Sequence, residues 1–255
     1  MTIEEIRRKY PYLYETHLHT SEASACARNT GAEMARACKE YGYAGIFVTD
    51  HNWGGNTAVD RSLPWKEWVE RFCLGFEHAR EEGEKLGLDV FFGYEAGFDA
   101  TEFLTYGIDK DWMLEQPELR EAPLEVHNQM VREAGGLIMH AHPYREEWYI
   151  PEIRLFPECV DGVEGINATH SNSHSQSHND PAFDDRAVAY AREHGLPMSA
   201  GSDMHTVNLF GGGVAFRRRL TSGQDYVRAI KGGEDYVLTN GEIWYDKNGK
   251  VIASP

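Results

Sequence analysis

Two histidines separated by a single residue, His17 and His19, are the first residues in this sequence whose types and spacing indicate chemistry. In an extended strand, residues i and i+2 point to the same side, so both imidazoles can face one point while Leu18 packs on the opposite side. Two imidazoles on one face suit a metal ion. The pattern is short and exposed histidines are common, so a purely structural role is the alternative for this pair alone.

Four further apolar, strand-like runs also end in residues that bind metals. The endings are Asp50 and His51 after residues 44–49, Glu95 after 90–94, His140 and His142 after 137–139, and Asp203 and His205 after 197–202. The carboxyl ends of parallel strands meet at one edge of a sheet, where α/β barrels carry their active sites. These endings predict one site for several metal ions at the C-terminal mouth of a barrel-like sheet.

Helices are predicted between these strands. Thr30 and Glu33 have capping-box spacing, and Gly42 would end the helix that they begin. Further helices are predicted along the aromatic residues from Trp65 to Phe76, over 123–134, over 181–194 with Asn179 or Asp180 as cap, and from Thr221 to Gly232, before a hairpin at Asn248-Gly249. Strands that alternate with helices favour a parallel sheet, and about seven such units would allow it to close into a barrel.

The length of 255 residues, with 41% hydrophobic and 26% charged residues, is typical of one globular domain. We expect this domain to cover residues 1–255, with the metal motifs in 14–205 and a C-terminal helix and hairpin in 221–255. The formal net charge of −16 argues against broad nucleic-acid binding, which normally needs a basic surface. An anionic substrate would therefore depend on the positive charge of bound divalent metals.

The N-terminal residues lack the apolar core of a signal peptide, and no apolar run is long enough to span a membrane. We therefore expect a cytoplasmic protein with no membrane partner. The cysteines are Cys26, Cys38, Cys73 and Cys159. Because they include no Cys-x-x-Cys pair, they indicate neither a disulfide framework nor a thiolate zinc site, and they are interpreted as reduced, mostly buried thiols.

The predicted ligand set combines imidazole with carboxylate. This combination favours zinc, manganese or iron in its ferrous state over magnesium and calcium, which prefer all-oxygen sites. A cluster of such ions can polarise a phosphoryl oxygen, lower the pKa of a bound water towards ~7, and stabilise both the attacking and the leaving oxygen. Hydrolysis of a phosphate ester needs all three effects, so it is the reaction that this ligand set indicates first.

In this order, the metal-ligand motifs resemble those of the polymerase and histidinol phosphatase (PHP) superfamily of metal-dependent phosphoesterases. The motifs are His17-Leu18-His19, Thr49-Asp50-His51, Gly93-Tyr94-Glu95, Ala141-His142-Pro143 and Gly201-Ser202-Asp203-Met204-His205. The resemblance implies a distorted (β/α)7 barrel, similar to a TIM barrel, with two or three divalent ions, between which Glu95 would bridge. It further implies that one ion is held by His17, His19, Glu95 and Asp203, and that His51, His142 and His205 complete the others.

The chain departs from this family at the third metal position. Many members carry an Asp or His ligand where this sequence has Ser24 and Ala25, and Glu22 is the nearby residue that could replace it. Some members also have a histidine in a stretch that corresponds to residues 101–107, where this chain has none. With one donor fewer, the third ion would be held most weakly.

Two residues within the motifs have roles that the motifs alone do not decide. His140 precedes His142 by two residues and could face the same ion, although the family motif needs only His142. Asp50 is more typical of a carboxylate that orients a ligand histidine than of a ligand itself.

Arg145 follows His142 by three residues, and its guanidinium could bind a substrate phosphate through two parallel hydrogen bonds. A surface salt bridge is the alternative. His170, His174 and His178 recur every four residues, but the Ser and Asn residues around them favour an exposed loop over a helix. We expect this loop to face the substrate, with His170 nearest to the site.

The sequence therefore predicts a metal-dependent phosphoesterase that hydrolyses a small-molecule phosphomonoester, such as a sugar, nucleotide or histidinol-phosphate-like phosphate, with metal-activated water. The residues expected to take part in catalysis are His17, His19, Glu95, Arg145, Asp203 and His205. One alternative is a 3′-5′ exonuclease or nucleotide phosphodiesterase, with a short nucleic acid as substrate. Another is hydrolysis of a C–N or ester bond, since amidohydrolase barrels also use His-x-His at a first strand. A non-catalytic metal-binding PHP module is the alternative of a different class.

Overall fold

One mixed β-sheet connects the elements of the fold in the computed structural model, which describes residues 1–208 and 211–255. Its strands are β1 Tyr12–Glu15, β2 Gly45–Val48, β3 Asp89–Phe98, β4 Thr101–Tyr106, β5 Leu137–His140, β6 Gly162–Asn167, β7 Met198–Gly201, β8 Gly212–Phe216, β9 Tyr236–Asn240, β10 Trp244–Asp246 and β11 Val251–Ala253. Their order across the sheet is β11-β10-β9-β8-β1-β2-β3-β4-β5-β6-β7. The strands that carry the metal motifs thus all lie on one side of β8.

Several helices begin where capping signals predicted them. The helices are α1 Ile3–Lys9, α2 Gly31–Tyr41, α3 Trp65–Phe72, α4 Leu74–Leu86, α5 Lys110–Leu114, α6 Leu124–Glu133, α7 Ala168–Ser171, α8 Pro181–Glu193 and α9 Gly223–Lys231, with a 3₁₀ turn at Pro117–Glu121. Thr30 and Glu33 form the predicted capping box of α2, and Gly42 ends this helix with a left-handed φ of 107°. Asp180 caps α8, which is one of the two caps predicted for it.

Two helix boundaries differ from the prediction. The aromatic helix expected from Trp65 to Phe76 is divided at Cys73 into α3 and α4. The N-cap of α9 is Ser222 and not Thr221, because the Ser222 side chain accepts a hydrogen bond from the backbone N–H of Asp225. Neighbouring hydroxyl residues can each satisfy the free amides of a first turn, so spacing alone does not resolve a one-residue shift.

The strands do not form the uniform parallel repeat that the sequence predicted. β1, β2 and β3 are parallel, and so are β5, β6 and β7, but β4 is antiparallel to both β3 and β5. Asp99 and Ala100 join β3 directly to β4, with φ values of 48° and 63°. Two successive residues of positive φ form a tight hairpin turn, so no helix separates these strands. The predicted C-terminal hairpin is present as β10 and β11, with Gly249 at φ 74°.

The sheet curls so that the segment after β7 returns to the side of β1. The Thr16 hydroxyl donates a hydrogen bond of 2.7 Å to the carbonyl oxygen of Ala200, and the N–H of Ser202 donates one of 2.8 Å to Oε1 of Glu15. Beyond them, Leu18 and Met204 form a parallel β-bridge. The result is a mixed α/β fold with a curled, half-barrel sheet, in which the first and last metal motifs are neighbours.

Apolar residues between the sheet and the helices form the core. Trp68 and Phe72 of α3 are buried, with ring centroids 4.7 Å apart, and they belong to one apolar cluster with Phe92 and Tyr94 of β3. The helical spacing of these aromatic residues thus places Trp68 and Phe72 in the core. Within the described residues, no helix combines the length and the apolar character that crossing a membrane requires.

Candidate metal centre

The two histidines of the first motif lie directly beyond β1 and both join the same cluster of metal-ligating groups. Their ring centroids are 5.1 Å apart, and Leu18 between them is fully buried. The N–H of His19 donates a hydrogen bond of 2.8 Å to the carbonyl oxygen of Met204, and the N–H of Met204 donates one of 3.0 Å to that of His17. This bridge places Asp203 next to both histidines.

Metal-ligating side chains from several segments converge in one cluster. Within each of four groups of three residues, the ligand atoms all lie within 4.8 Å of one another. The groups are His17, His19 and Asp203; His17, Glu95 and His142; His51, Glu95 and Glu102; and His19, His51 and His205. Because neighbouring groups share residues, they form one continuous arrangement and not separate clusters.

Glu95 lies at the centre of this cluster. Its Oε1 is 3.1 Å from Nε2 of His142 and 3.2 Å from Nε2 of His17, whereas its Oε2 is 2.8 Å from Nδ1 of His51. The two carboxylate oxygens therefore face different histidines. The sequence predicted that Glu95 would follow β3. It lies inside this strand instead, because pairing with β4 extends β3 to Phe98.

Glu102 belongs to the cluster and was missed by sequence reasoning. It lies near the start of β4, opposite Gly97, with Oε1 3.4 Å from Nδ1 of His51 and Oε2 3.6 Å from Nε2 of His142. From the sequence, residues 101–107 were expected to matter only as the stretch where some relatives carry a histidine. An acidic side chain near the start of an otherwise apolar strand was the available signal.

Glu164 is a second missed carboxylate, and it orients His17. Its Oε1 lies 2.9 Å from Nδ1 of His17, and its Oε2 accepts hydrogen bonds from the N–H of His142 at 3.1 Å and from Nδ2 of Asn167 at 3.0 Å. With Nδ1 occupied in this way, Nε2 of His17 is directed to the cluster. Gly201 permits this packing, since a Cβ there would lie 2.5 Å from Cβ of His17. The available sequence signal was Glu164 itself, the charged residue within the strand-like run 162–167.

Asp50 contacts the cluster through Ser24. The Ser24 hydroxyl donates a hydrogen bond of 2.6 Å to Oδ1 of Asp50, and its oxygen lies 3.2 Å from Nδ1 of His19. Burial raises the pKa of Asp50 to about 6, although hydrogen bonds from Ser24 and Thr20 act to lower it. Ser24, where relatives often carry a ligand, thus orients His19 in this chain.

Burial and charge have opposite effects on the titratable groups of the cluster. Burial alone would raise the pKa of Glu95 and of Asp203, but the neighbouring imidazoles, that of His17 above all, hold both well below their ordinary values. Burial would likewise lower the pKa of His17, whereas nearby carboxylates, that of Asp203 above all, raise it well above its ordinary value. The cluster thus holds ionised carboxylates that positive charge must compensate.

The unpaired atoms of the cluster fit bound cations. Among the described residues, the buried cluster atoms that make no hydrogen bond of good geometry are His17 Nε2, His19 Nε2, His51 Nδ1 and Glu95 Oε2, although each lies close to another atom of the cluster, as His51 Nδ1 and Glu95 Oε2 do at 2.8 Å. Buried polar atoms are normally paired, and an unpaired one costs about 1–3 kcal/mol. Imidazole nitrogen and carboxylate oxygen are the donors that divalent transition metals bind. The residues therefore fit the metals that the sequence predicted.

The structure does not bring His140 into the cluster. β5 ends at His140, and His142 then adopts a left-handed φ of 27°, which breaks the alternation that would have placed both rings on one side. The His140 ring is buried and stacks on Phe103 at a centroid distance of 5.0 Å, and burial lowers its pKa to about 3. Asp203 also has left-handed backbone, with a φ of 53°.

Glu22 lies outside all four groups, although the sequence made it the candidate donor for the third ion. Its carboxylate accepts a hydrogen bond of 3.1 Å from the N–H of Gly31 at the start of α2, and it lies 2.8 Å from Nδ1 of His78. Glu22 is therefore paired with His78 and with the start of α2, away from the cluster. The free N–H groups of a helix start attract carboxylates, which explains the direction that Glu22 takes.

Arg145 is buried beside the cluster, so the alternative of a surface salt bridge does not hold. Its Nη2 donates a hydrogen bond of 2.7 Å to Oδ2 of Asp203, and its Nε donates one of 3.0 Å to Nε2 of His170. Because Nε2 of His170 accepts, its Nδ1 carries the proton and donates to Oδ1 of Asp184 at 2.8 Å. Burial, reinforced by Arg145, keeps the pKa of His170 well below its ordinary value. His170 is thus buried on α7, and not on an exposed loop, and it orients Arg145.

A cavity of about 600 Å³ adjoins the cluster. The cluster residues that line it are His51, Glu95, Glu102, His142, Asp203 and His205. Arg145, Trp148, Tyr149 and His178 also line the cavity, and Trp148 is 92% exposed. This volume is in the range of small-molecule sites, and it accommodates a ligand considerably larger than inorganic phosphate.

Known families and solved structures show what this fold is similar to. A family model described as PHP-associated matches residues 182–234, and no curated protein matches the chain significantly in sequence. A two-domain protein from Bacteroides vulgatus, described as containing a predicted PHP-like metal-dependent phosphoesterase, has a similar fold with a TM-score of 0.68 and 15% sequence identity. The similarity covers 91% of this chain and 66% of the Bacteroides chain.

Two further solved structures are similar. A candidate metal-dependent phosphoesterase from Bifidobacterium adolescentis has a TM-score of 0.53 and 16% identity, over 87% of this chain and 96% of its own. An amidohydrolase from Chromobacterium violaceum has a TM-score of 0.52 and 16% identity, over 76% of this chain and 87% of its own. Such identities show a shared fold. Together with the matched family model, this fold supports the PHP superfamily and confirms the resemblance drawn from the motifs.

Proposed function

We propose that this protein is a metal-dependent hydrolase of phosphate esters and that its substrate is a small-molecule phosphomonoester. One observation carries the proposal, namely that the overlapping ligand groups around Glu95 line a cavity that also contains the buried guanidinium of Arg145. Ligands for several metal ions beside the buried guanidinium of Arg145 suit a substrate with concentrated negative charge. We interpret β1 to β7 as the distorted (β/α)7 barrel of the family, within one domain and with the ions at its mouth.

The ligand groups support the following proposal for the metal positions. His17, His19 and Asp203 would hold one ion, Glu95 would connect it to a second ion at His51 and Glu102, with His142 adjacent, and His205 would take part in a third position. Zinc, manganese or ferrous ions bound there would act as Lewis acids and lower the pKa of a water beside the phosphorus atom. Glu164 and Ser24 keep the rings of His17 and His19 in position, so the donors need little reorganisation.

Arg145 would bind the phosphoryl group. Asp203 and His170 fix its guanidinium from two sides, and the side chain lines the cavity. Burial opposes its charge, but the carboxylate of Asp203 keeps the pKa of Arg145 above its ordinary value, so it stays protonated. Because Nε bonds to His170 and Nη2 bonds to Asp203 and Thr169, the N–H groups of Nη1 are those that would donate to the phosphoryl group.

The charge of the chain favours a small substrate over a polynucleotide. At −16, the protein would repel a long polyanion, and phosphate backbones are normally bound by basic surfaces. Hydrolysis of an amide bond is the second candidate, because the similar protein from Chromobacterium violaceum is named an amidohydrolase. Arg145 favours the phosphate ester, since amide substrates carry no comparable negative charge.

Release of inorganic phosphate is the decisive measurement. The protein should be stripped of metal, reloaded with zinc, manganese or ferrous iron, and tested on sugar, amino-alcohol and nucleotide monophosphates. We expect phosphate release only from the loaded protein and its loss in His17→Ala. His174→Ala is the matched control, because His174 is 82% exposed in its side chain. Turnover of amide substrates without phosphate release would replace the proposal with the second candidate, and metal binding without turnover of either class would indicate a non-catalytic module.

A further inference from the structure

Trp148 is the most exposed large apolar side chain among the described residues, and it lines the cavity beside the metal centre. It is 92% exposed, whereas the other five tryptophans of the chain are buried or partly buried. The neighbouring Tyr149 is 42% exposed and lines the same cavity. A single exposed apolar residue says little about binding, but two adjacent aromatic side chains that line a cavity are typical of a ligand-binding surface.

A hydrogen-bonded turn presents these two aromatic side chains. The N–H of Ile150 donates a hydrogen bond of 2.9 Å to the carbonyl oxygen of Glu147, so Trp148 and Tyr149 occupy the two central positions of the turn. Oε1 of Glu147 also lies 2.5 Å from Nδ1 of His178, which lines the cavity as well. The backbone that carries both rings is therefore held in place, and a ligand that binds against them has little of it to order.

The rings of Trp148 and Tyr149 are arranged edge to face. Their centroids are 5.6 Å apart, and their planes meet at 88°. In this geometry Tyr149 covers at most one face of the indole, so the exposed indole keeps a face for a further ring. The guanidinium of Arg145, three residues earlier in the chain, lines the same cavity. A ligand whose phosphate binds at Arg145 can therefore extend towards Trp148.

Glycines form another part of the cavity wall. Gly54 and Gly55 follow β2, Gly97 lies in β3, and all three line the cavity. A Cβ at Gly54 would lie 2.1 Å from the carbonyl oxygen of Gly97, and a Cβ at Gly97 would lie 2.8 Å from Cα of Gly55. The two backbone segments thus pack directly on each other, and planar peptide groups without side chains form this wall. It leaves room for a flat group beside the rings of Trp148 and Tyr149.

We propose that the alcohol part of the substrate ester carries a planar aromatic ring, either carbocyclic or heterocyclic, and that Trp148 selects this ring by stacking on it. The inference rests on the proposed function, because the metal ions and Arg145 would bind the phosphoryl group in the same cavity. Tyr149 would hold the indole through its edge-to-face contact. Phosphate esters of sugars and of linear alcohols would be poorer substrates, since they have no flat apolar face that displaces water from the indole.

Two pairs of phosphomonoesters test the inference, because the members of each pair differ chiefly in the ring. Adenosine 5′-monophosphate and ribose 5-phosphate share a phosphoribosyl group, and benzyl phosphate and butyl phosphate are both esters of a primary alcohol. We expect kcat/KM of the metal-loaded protein to be about fivefold higher for the ring-bearing member of at least one pair, as an aromatic contact allows. The pair that shows the preference identifies the ring as heterocyclic or carbocyclic. Equal values within both pairs would overturn the inference.

Variants of Trp148 test its role directly. Trp148→Ala should remove the preference by raising KM for the ring-bearing ester, whereas Trp148→Phe should retain part of it, because phenylalanine keeps an aromatic face. Tyr41→Ala is the matched control and should keep the wild-type preference, since Tyr41 is 42% exposed, like Tyr149, but does not line this cavity. A preference that persists unchanged in Trp148→Ala would overturn the role of Trp148.

Binding of phosphonates separates this inference from the proposed function, because a phosphonate is not hydrolysed. In calorimetric titrations the metal-loaded protein should bind benzylphosphonate about fivefold more tightly than butylphosphonate, and Trp148→Ala should bind both equally. If this difference is found but no ester releases phosphate, the hydrolase proposal fails and the aromatic site stands. If phosphate is released with no preference for a ring in turnover or binding, the aromatic site fails and the hydrolase stands. Absence of both binding and turnover would overturn both.

Discussion

Arg145 and Asp203 form a buried ion pair in which Nη2 of the arginine lies 2.7 Å from Oδ2 of the aspartate. The other carboxylate oxygen, Oδ1, lies 3.2 Å from Nε2 of His19 and 3.4 Å from Nε2 of His17. One carboxylate thus connects the residue proposed to bind substrate with the histidines proposed to bind metal. The two functions can be separated by mutation, because each uses a different oxygen of Asp203.

Arg145→Gln should weaken substrate binding and leave the metal content unchanged. The substitution removes a cation from the cavity, so KM for the phosphate ester should rise by about tenfold or more, which corresponds to ~1.4 kcal/mol. Asp203 keeps its charge and still faces the histidines, so its ligand role should persist. Steady-state kinetics and elemental analysis provide the measurements. Arg186→Gln, at an exposed arginine, is the control, and loss of metal from Arg145→Gln would contradict this separation.

His17→Ala and His140→Ala should fail in different ways. His17 belongs to two ligand groups, so its removal should abolish phosphate release and lower the bound metal. His140 is stacked on Phe103 outside the cluster, so its removal should cost about 3 kcal/mol of unfolding free energy and leave the metal content near normal. Urea denaturation and elemental analysis distinguish the two. Metal loss in a folded His140→Ala variant would restore His140 as a ligand.

Glu164→Gln should weaken metal binding although Glu164 belongs to none of the ligand groups. Its carboxylate fixes the ring of His17, and loss of such a supporting carboxylate typically lowers metal affinity by about 10–100-fold. Competition with a chromophoric chelator measures this affinity. Glu193→Gln changes the same residue type at an exposed position of α8 and should bind metal normally. An unchanged affinity in Glu164→Gln would mean that packing alone orients His17.

His127 should make the protein less stable in mild acid. Burial lowers its pKa to about 4, and its neutral ring bonds to the hydroxyl of Tyr94 and to Oδ1 of Asn128, each at 2.8 Å. The ordinary pKa of histidine in an unfolded chain is ~6.5, so the unfolded state binds the proton first. The contribution of His127 to the free energy of unfolding is therefore complete above pH ~6.5. It is lost as the pH falls towards 4, by up to ~1.4 kcal/mol per pH unit.

Denaturant unfolding of the wild type and of His127→Gln, measured from about pH 7 to about pH 4, would isolate the effect of His127 on the free energy of unfolding. Only the wild type has a histidine ring that titrates at this position. His174→Gln, at an exposed histidine, should retain the wild-type pH dependence. An identical pH dependence in His127→Gln and wild type would show that other groups cause the acid sensitivity.

The members of the ligand cluster that the sequence predicted are those that local rules can identify. His17 and His19 follow from strand alternation, and Asp203 follows from the end of a strand. Glu102 and Glu164 were missed because their positions depend on which strands pair. Glu102 reaches the cluster only because β4 is antiparallel to β3, and hydrophobic patterning does not distinguish parallel from antiparallel pairing.

The error at His140 has a different physical origin. The prediction that His140 could join His142 assumed an extended backbone through both residues, and the positive φ of His142 breaks that assumption. Pattern rules do not predict left-handed backbone at a histidine, which lacks the conformational freedom of glycine. Glu22 illustrates a third limit. Its position close to Ser24 in the sequence made it a candidate ligand, but the sequence did not show that its carboxylate would instead bind the N–H of Gly31 at the start of α2.

The left-handed backbone of His142 and Asp203 sets the stability of the fold against the presence of metal-ligating side chains at these positions. Each residue with a side chain in this region costs about 1–2 kcal/mol relative to glycine. A glycine at either position would relieve that cost and, in the same step, delete a group of the cluster. Thermostabilising redesign would therefore favour replacements that delete members of the cluster, so stability gained at these two residues would come at the expense of metal-ligating side chains.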